Sequence, residues 1–197
     1  MTEMPVAEHP ALLVMDVQRG IVERFGNDSG LLDRIGTAIA AARAAAIPVI
    51  YVIIRFREGY PEINPRNRSF SAARQAGRVF GENDPATEIH PAIAPQRGDI
   101  VVTKRRVSAF AGSDLDVVLR AQGIDSLILS GIATSGVVLS TLRYAADMDY
   151  RLSVLSDCCA DSDAEVHRVL MEKVFPRQAT ILTVDEWHAA IQTAEKH

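Results

Sequence analysis

The segment Leu127-Ile128-Leu129-Ser130-Gly131-Ile132-Ala133-Thr134-Ser135-Gly136-Val137-Val138 runs from a short apolar strand straight into a glycine-bearing turn and a helix. The apolar residues of its first part, 127–130, follow one another rather than alternate, the pattern of a parallel strand covered on both faces. Five other runs share this character, at residues 11–15, 49–54, 100–103, 152–155 and 179–183. The spacing between them predicts helices. Leu32, Ile35 and Ile39 share one face. Leu115, Val118 and Leu119 share another, in a helix opened by Ser113 with Asp116 and closed by Gly123. Ser162 with Glu165 opens a helix striped by Val166, Val169 and Leu170. Thr183 with Glu186 opens the last, which carries Val184, Trp187 and Ile191. Strand and helix alternating in this way predict an α/β fold: a doubly wound, six-stranded, mostly parallel sheet with helices on both faces. In such sheets ligands bind beyond the carboxyl ends of the strands, near the point where strand order reverses.

Composition narrows the class. A chain of 197 residues, 48% hydrophobic, suits one domain spanning residues 1–197. The net charge is −4 with no Lys/Arg-rich run, which argues against a nucleic acid or an anionic membrane surface as partner. Residues 1–11 lack the basic flank and apolar run of a secretory signal, and no stretch approaches the ~20 apolar residues that span a bilayer. The two cysteines, Cys158 and Cys159, are sequence neighbours and make no disulfide framework. These features predict a soluble cytoplasmic protein. Residues 56–98, with Pro61, Pro65, Pro85, Pro91 and Pro95, read as one long irregular stretch suited to a lid, a binding loop or an oligomer contact.

Three features at strand ends can carry chemistry. Asp16 directly follows the first strand, where a carboxylate serves as a general base or acid, or simply as a turn or capping residue. Lys104 ends another strand. It is either a solvated lysine or the partner that holds Asp16 ionised and stabilises a developing oxyanion. The turn at Gly131–Val138 presents helix N-terminal N–H groups suited to an oxyanion, and equally suits an ordinary tight strand–helix connection.

Taken in order, the segments Leu12-Leu13-Val14-Met15-Asp16-Val17-Gln18, Lys104-x-x-x-Ser108-Ala109-Phe110-x-Gly112-Ser113-x-Leu115 and Gly131-Ile132-Ala133-Thr134 resemble the isochorismatase-like hydrolases. That family includes nicotinamidases, N-carbamoylsarcosine amidohydrolases and isochorismatase. Asp157-Cys158-Cys159-Ala160 and the following helix with His167 extend the likeness over nearly the whole chain. The resemblance implies an Asp–Lys–Cys triad, with Asp16 at the base position and Lys104 at the lysine position. It also implies a non-proline cis peptide between Ile132 and Ala133, and substrate or oxyanion contacts from Gln18, Phe110, Ile132, Ala133 and Gly136. Members commonly assemble as homo-oligomers, dimers or tetramers.

One position departs from the pattern. The family's amidases read Gly-x-x-Thr-x-x-Cys-Val at this turn, and the nucleophile position here is Val137. Valine has no lone pair and no acidic proton, so covalent thiol catalysis at that position is excluded. Ser135 lies about 200° away around a helix, and Cys158 and Cys159 follow a different strand. The Asp-x-His metal pair of nicotinamidases is missing from Tyr51-Val52-Ile53-Ile54-Arg55-Phe56, and His90 lies far downstream, so no metal or cofactor is expected. Three functions fit. One is a hydrolase of a small carboxylate- or amide-bearing metabolite that needs no cysteine, as isochorismatase itself needs none, with Asp16 as a proton donor and Arg55, Arg66 or Arg68 available for a carboxylate. Another is an inactive pseudoenzyme or small-molecule binding protein on the amidase scaffold. The third is a hydrolase that recruits water directly through Asp16.

Overall fold

In the computed structural model, which describes residues 9–25, 30–77 and 81–194, six parallel strands pair in the order β3-β2-β1-β4-β5-β6. They are β1 (Pro10–Met15), β2 (Val49–Ile54), β3 (Ile100–Lys104), β4 (Ser126–Ile132), β5 (Arg151–Ala160) and β6 (Thr180–Leu182). The chain builds outward from β1 to β3, then crosses back and builds from β4 to β6 on the other side. Strand order therefore reverses between β1 and β4, where Leu13 lies opposite Leu129 and Met15 opposite Gly131. The expected doubly wound α/β sheet is what forms, and every strand-to-strand pairing is parallel.

Strand alternation sends successive side chains to opposite faces, and each face carries its own core. Leu13, Met15, Val52 and Val102 pack on one side with Leu115 and Leu119 of α4 (Leu115–Ala121) and Leu142 of α5 (Leu139–Asp147). Leu12, Val14 and Tyr51 pack on the other with Ile35 and Ile39 of α2 (Leu31–Ala44) and Trp187 of α7 (Val184–Ala194). Two-sided burial is why the strands read as unbroken apolar runs. No helix among the described residues is long and apolar enough to cross a membrane.

The helix ends agree with the sequence in part. Thr183 and Glu186 form the expected reciprocal box at α7. The Thr183 N–H donates to Glu186 Oε2 at 2.7 Å and the Glu186 N–H to Thr183 Oγ1 at 3.3 Å. At α4, Ser113 Oγ accepts the Leu115 N–H, while Asp116 turns outward to Arg120, so no box closes. At α6 (Ala164–Val169) the cap is Asp163 and not Ser162: its Oδ1 accepts the N–H groups of Glu165 and Val166. A carboxylate satisfies two free amides and meets the positive helix end, which a neighbouring hydroxyl does less well. Val166, expected on the buried stripe, is exposed, and burial resumes at Leu170 and Met171.

The stretch 56–98 is more ordered than its prolines suggest, although residues 78–80 lie outside those described, as does the N-terminal reading over residues 1–8. It contains α3 (Arg68–Gln75), capped by Asn67 Oδ1 accepting the Phe70 N–H at 3.1 Å. Single 3₁₀ turns follow at Pro85–Thr87 and Pro91–Ile93, each begun by a proline whose missing N–H would be unpaired there anyway. Prolines here start turns rather than prevent structure.

Gly131 marks the tightest approach in the sheet. Its φ is +136°, and a Cβ on it would lie 2.1 Å from the Met15 carbonyl oxygen. Gly36, inside α2, has nothing within 4 Å of a built Cβ. Gly131→Ala is therefore expected to lose about 3 kcal/mol or more of stability, or to fail to fold. Gly36→Ala should gain about 0.5–1 kcal/mol. Urea unfolding midpoints of the two variants check both signs.

Candidate active site

The strand order determines what meets at the switch point. Asp16 follows β1 and Lys104 ends β3, with β2 between them. The lysine side chain must therefore reach across roughly two inter-strand spacings, about 10 Å. It does so: Lys104 Nζ lies 2.8 Å from Asp16 Oδ2 and also donates to the Arg106 carbonyl at 3.0 Å. Asp16 sits at φ +57°, a left-handed conformation that aspartate tolerates better than most residues. Both side chains are buried, Lys104 to 1% exposure. Burial raises the Asp16 carboxyl above its ordinary range, and the Lys104 ammonium works against that rise. Asp16 Oδ1 is buried without a hydrogen-bond partner among the described residues.

These two residues line a pocket of about 230 Å³ at the carboxyl ends of the strands. Ile132, Ala133, Gly136 and Val137 bring the turn after β4 to the same pocket. Val137, 2% exposed, thus sits with Asp16 and Lys104 where the sequence frame put the nucleophile position. The Ile132–Ala133 peptide is cis. From the turn a continuous helical run leads through a wide π-type turn (Thr134–Val138) into α5.

The turn is fixed from behind by side chains. Asp161 Oδ2 accepts the Ser135 N–H at 2.7 Å. Thr134, fully buried, shares a hydrogen bond of 2.8 Å between its Oγ1 and His167 Nδ1. Burial lowers the His167 imidazole below its ordinary value, against the pull of Asp161, so the ring is neutral at pH 7. Of this group, the sequence had indicated Thr134 and His167, as parts of a family pattern, and gave no sign of Asp161.

Other expected residues go elsewhere. The Gln18 side chain is fully buried, and its amide is spent on backbone. Nε2 donates to the carbonyls of Ile54 (3.0 Å) and Thr87 (2.7 Å), and Oε1 accepts the Ile54 N–H at 2.8 Å. It ties the end of β2 to the segment around Thr87 rather than lining the pocket. Phe110 is also absent from the lining. It stacks on Tyr144 at 4.9 Å between ring centroids and packs beside Tyr150. Arg55, Arg66 and Arg68 do not line the pocket either. The arginine that does is Arg24 of α1 (Arg19–Phe25), on the exposed rim. The remaining wall comes from α1, from Phe56 after β2, from Val107, and from Phe70 and Ala73 of α3. α1 is too short, and α3 too polar, for a stripe to announce these residues.

The two cysteines are buried free thiols, and neither lines the pocket. Burial pushes the Cys159 thiol up to about 12 and raises Cys158 as well, which keeps both protonated and unreactive at neutral pH. Among the described residues, no group of three or more His, Cys, Asp or Glu side chains is placed to hold a metal ion.

Comparison with known proteins bears on the family and the fold. The uncharacterized isochorismatase family protein YecD of Escherichia coli O157:H7 is 33% identical over 184 residues, covering 91% of this chain and 95% of YecD. Ureidoacrylate amidohydrolase RutB of Methylobacterium radiotolerans is 33% identical over 195 residues, covering 86% of this chain and 76% of RutB. Among solved structures, a cysteine hydrolase from Pseudomonas syringae pv. phaseolicola superposes with a TM-score of 0.86 at 26% identity, covering 98% of this chain and 100% of that one. Residues 10–186 match the model of the Isochorismatase domain, and the chain belongs to the isochorismatase family.

Proposed function

We propose that the protein hydrolyses a small amide or carbamoyl compound by direct attack of water, with Asp16 as general base and no covalent intermediate. The observation that carries this reading is the buried Asp16–Lys104 pair lining a pocket beside Val137. Lys104 holds one carboxylate oxygen and favours the ionised form, leaving Oδ1 as the atom available to take a proton. In the proposed step Asp16 removes a proton from water while the water oxygen bonds to the substrate carbonyl carbon. The carbon–nitrogen bond then breaks, and the nitrogen leaves with the proton Asp16 took up. The products are a carboxylic acid and an amine, or a carbamate and an amine from a carbamoyl compound. At the start of the helix after β4 the N–H groups of Ser135, Gly136 and Val138 are already donated to Asp161 and the Ala133 carbonyl, so the charge that develops on the carbonyl oxygen would be met by the positive end of the helix dipole rather than by those amides. The likeness to an amidohydrolase supports the reaction class, and Val137 is the reason for assigning it no thiol nucleophile.

Asp16→Asn should lower turnover by about 100-fold or more, measured on a panel of primary amides, ureido acids and carbamoyl compounds, while ligand-induced thermal stabilisation persists. Because burial raises the Asp16 carboxyl and the base must be ionised, wild-type activity should rise with pH through that raised value. Its acidic limb should lie above that of an ordinary aspartate. A limb that falls with pH instead would make Asp16 an acid and point to an enol ether substrate, as in isochorismatase. Ligand stabilisation without turnover of any compound would leave the protein a binding module.

Val137→Cys tests the position of the missing nucleophile. The new thiol should react with iodoacetamide at least about tenfold faster than Cys158 or Cys159, because it lies beside Asp16 and a helix N-terminus. Equal labelling of all three thiols, read by peptide mass spectrometry, would contradict the geometry.

A further inference from the structure

The reaction centre occupies only one part of the pocket. Of its fourteen lining residues the charged ones are Asp16, Lys104 and Arg24, and the rest are apolar or glycine. Lys104 is already neutralised by Asp16 at 2.8 Å, and Arg24 stands on the exposed rim, where an ion pair is worth little. A charged group carried inward would meet an apolar wall and lose its hydration without compensation. Three phenylalanines from separate segments build much of that wall: Phe25 of α1, Phe56 after β2 and Phe70 of α3.

The α3 part of the wall is preformed. Phe70 and Ala73 are three residues apart on one helix and so share a face, and both line the pocket. The Phe70 ring meets Phe56 edge-on at 5.4 Å, and Phe56 meets Tyr60 at 6.3 Å. Arg74 lies over the Tyr60 ring at 5.3 Å, tying the helix to the segment before it. The volume, about 230 Å³, is below the range of roughly 300–1,000 Å³ that holds drug-sized ligands.

We infer that the substrate is a compact, uncharged amide or carbamoyl compound with a branched aliphatic or aryl body. Phe70 and Ala73 are then specificity-determining residues: Phe70 offers a ring face to the body, and Ala73 leaves the space the body fills. The inference rests on the proposed reading for the amide or carbamoyl group and for placing its carbonyl at Asp16.

The test measures binding and turnover separately on the full chain. Isovaleramide and benzamide serve as neutral probes and succinamate as an anionic probe of similar length, titrated by calorimetry against wild type, Ala73→Phe, Phe70→Leu and Asp16→Asn. The neutral amides should bind about tenfold or more tighter than succinamate, as apolar burial favours them. Ala73→Phe should weaken the neutral probes about tenfold or more by filling their space. Ala73 is only half-buried, so the larger side chain can be accommodated by the fold, as an unchanged circular dichroism spectrum would verify. Phe70→Leu should weaken benzamide more than isovaleramide. Succinamate binding as tightly as the neutral amides, no measurable binding of either neutral probe, or indifference to Ala73→Phe would each overturn the inference. Neutral amides that bind and respond to Ala73→Phe but are turned over by no variant would uphold this pocket assignment and overturn the general-base reading. Turnover confined to succinamate and lost in Asp16→Asn would do the reverse.

Discussion

A buried ion pair between residues on non-adjacent strands constrains everything around the pocket. Isolating either charge in this environment would cost several kcal/mol, of order 3–5 when one partner of a buried pair is removed. Asp16 and Lys104 therefore stay together only if β1, β2 and β3 hold their order and register. Ile54 lies opposite Lys104, and its backbone N–H and C=O are both bound by Gln18, two residues past Asp16. The same short segment thus supplies the carboxylate and locks the end of the intervening strand. A lysine suits the far side because a long, flexible stem can cross β2 and still deliver a compact ammonium to one oxygen. Such a pair contributes little net stability. What the pair does is electrostatic: the Lys104 ammonium opposes the rise that burial imposes on the Asp16 carboxyl.

Much of this was legible in the sequence, for a definite reason. Strands buried on both faces leave unbroken apolar runs, and all six were visible, with β4 and β5 extending beyond the runs that announced them. Asp16 and Lys104 were legible because parallel strands place their last residues at one edge of the sheet. Their contact was not, since it depends on strand order, which alternation alone does not give. Capping was readable where side chain and backbone reciprocate, as at Thr183 and Glu186, and misread where a neighbouring acid accepts more amides, as at Asp163. α3 was hidden because Phe70 is the one residue it buries. The destinations of Gln18 and Phe110 were hidden because both are set by partners 36 or more residues away in one case and by a stack with α5 in the other.

The long connection is anchored to the reaction centre as well as placed beside it. Glu62 Oε1 accepts from Arg57 Nη1 at 2.6 Å and from Arg105 Nε at 2.9 Å. Arg105 directly follows Lys104, so the carboxylate joins the segment leading into α3 to the end of β3. Phe56, Ile63 and Phe70 form a small core of their own beneath it. The α3 wall of the pocket and the strand that carries Lys104 are therefore joined through Glu62.

This arrangement separates two things the family scaffold usually supplies together. On the proposed reading, the ion pair at the strand ends supplies the proton acceptor, and the residue at 137 decides whether the proton comes from a thiol or from water. A cysteine there would lie in the same lining as Asp16 and give it a sulfur to deprotonate. Valine removes that option and adds an apolar side chain to the lining that Asp16 shares. Burial at this site raises the Asp16 carboxyl, and the Lys104 ammonium works against that rise. On the proposed reading, Val137 withholds the thiol route and leaves water as the nucleophile.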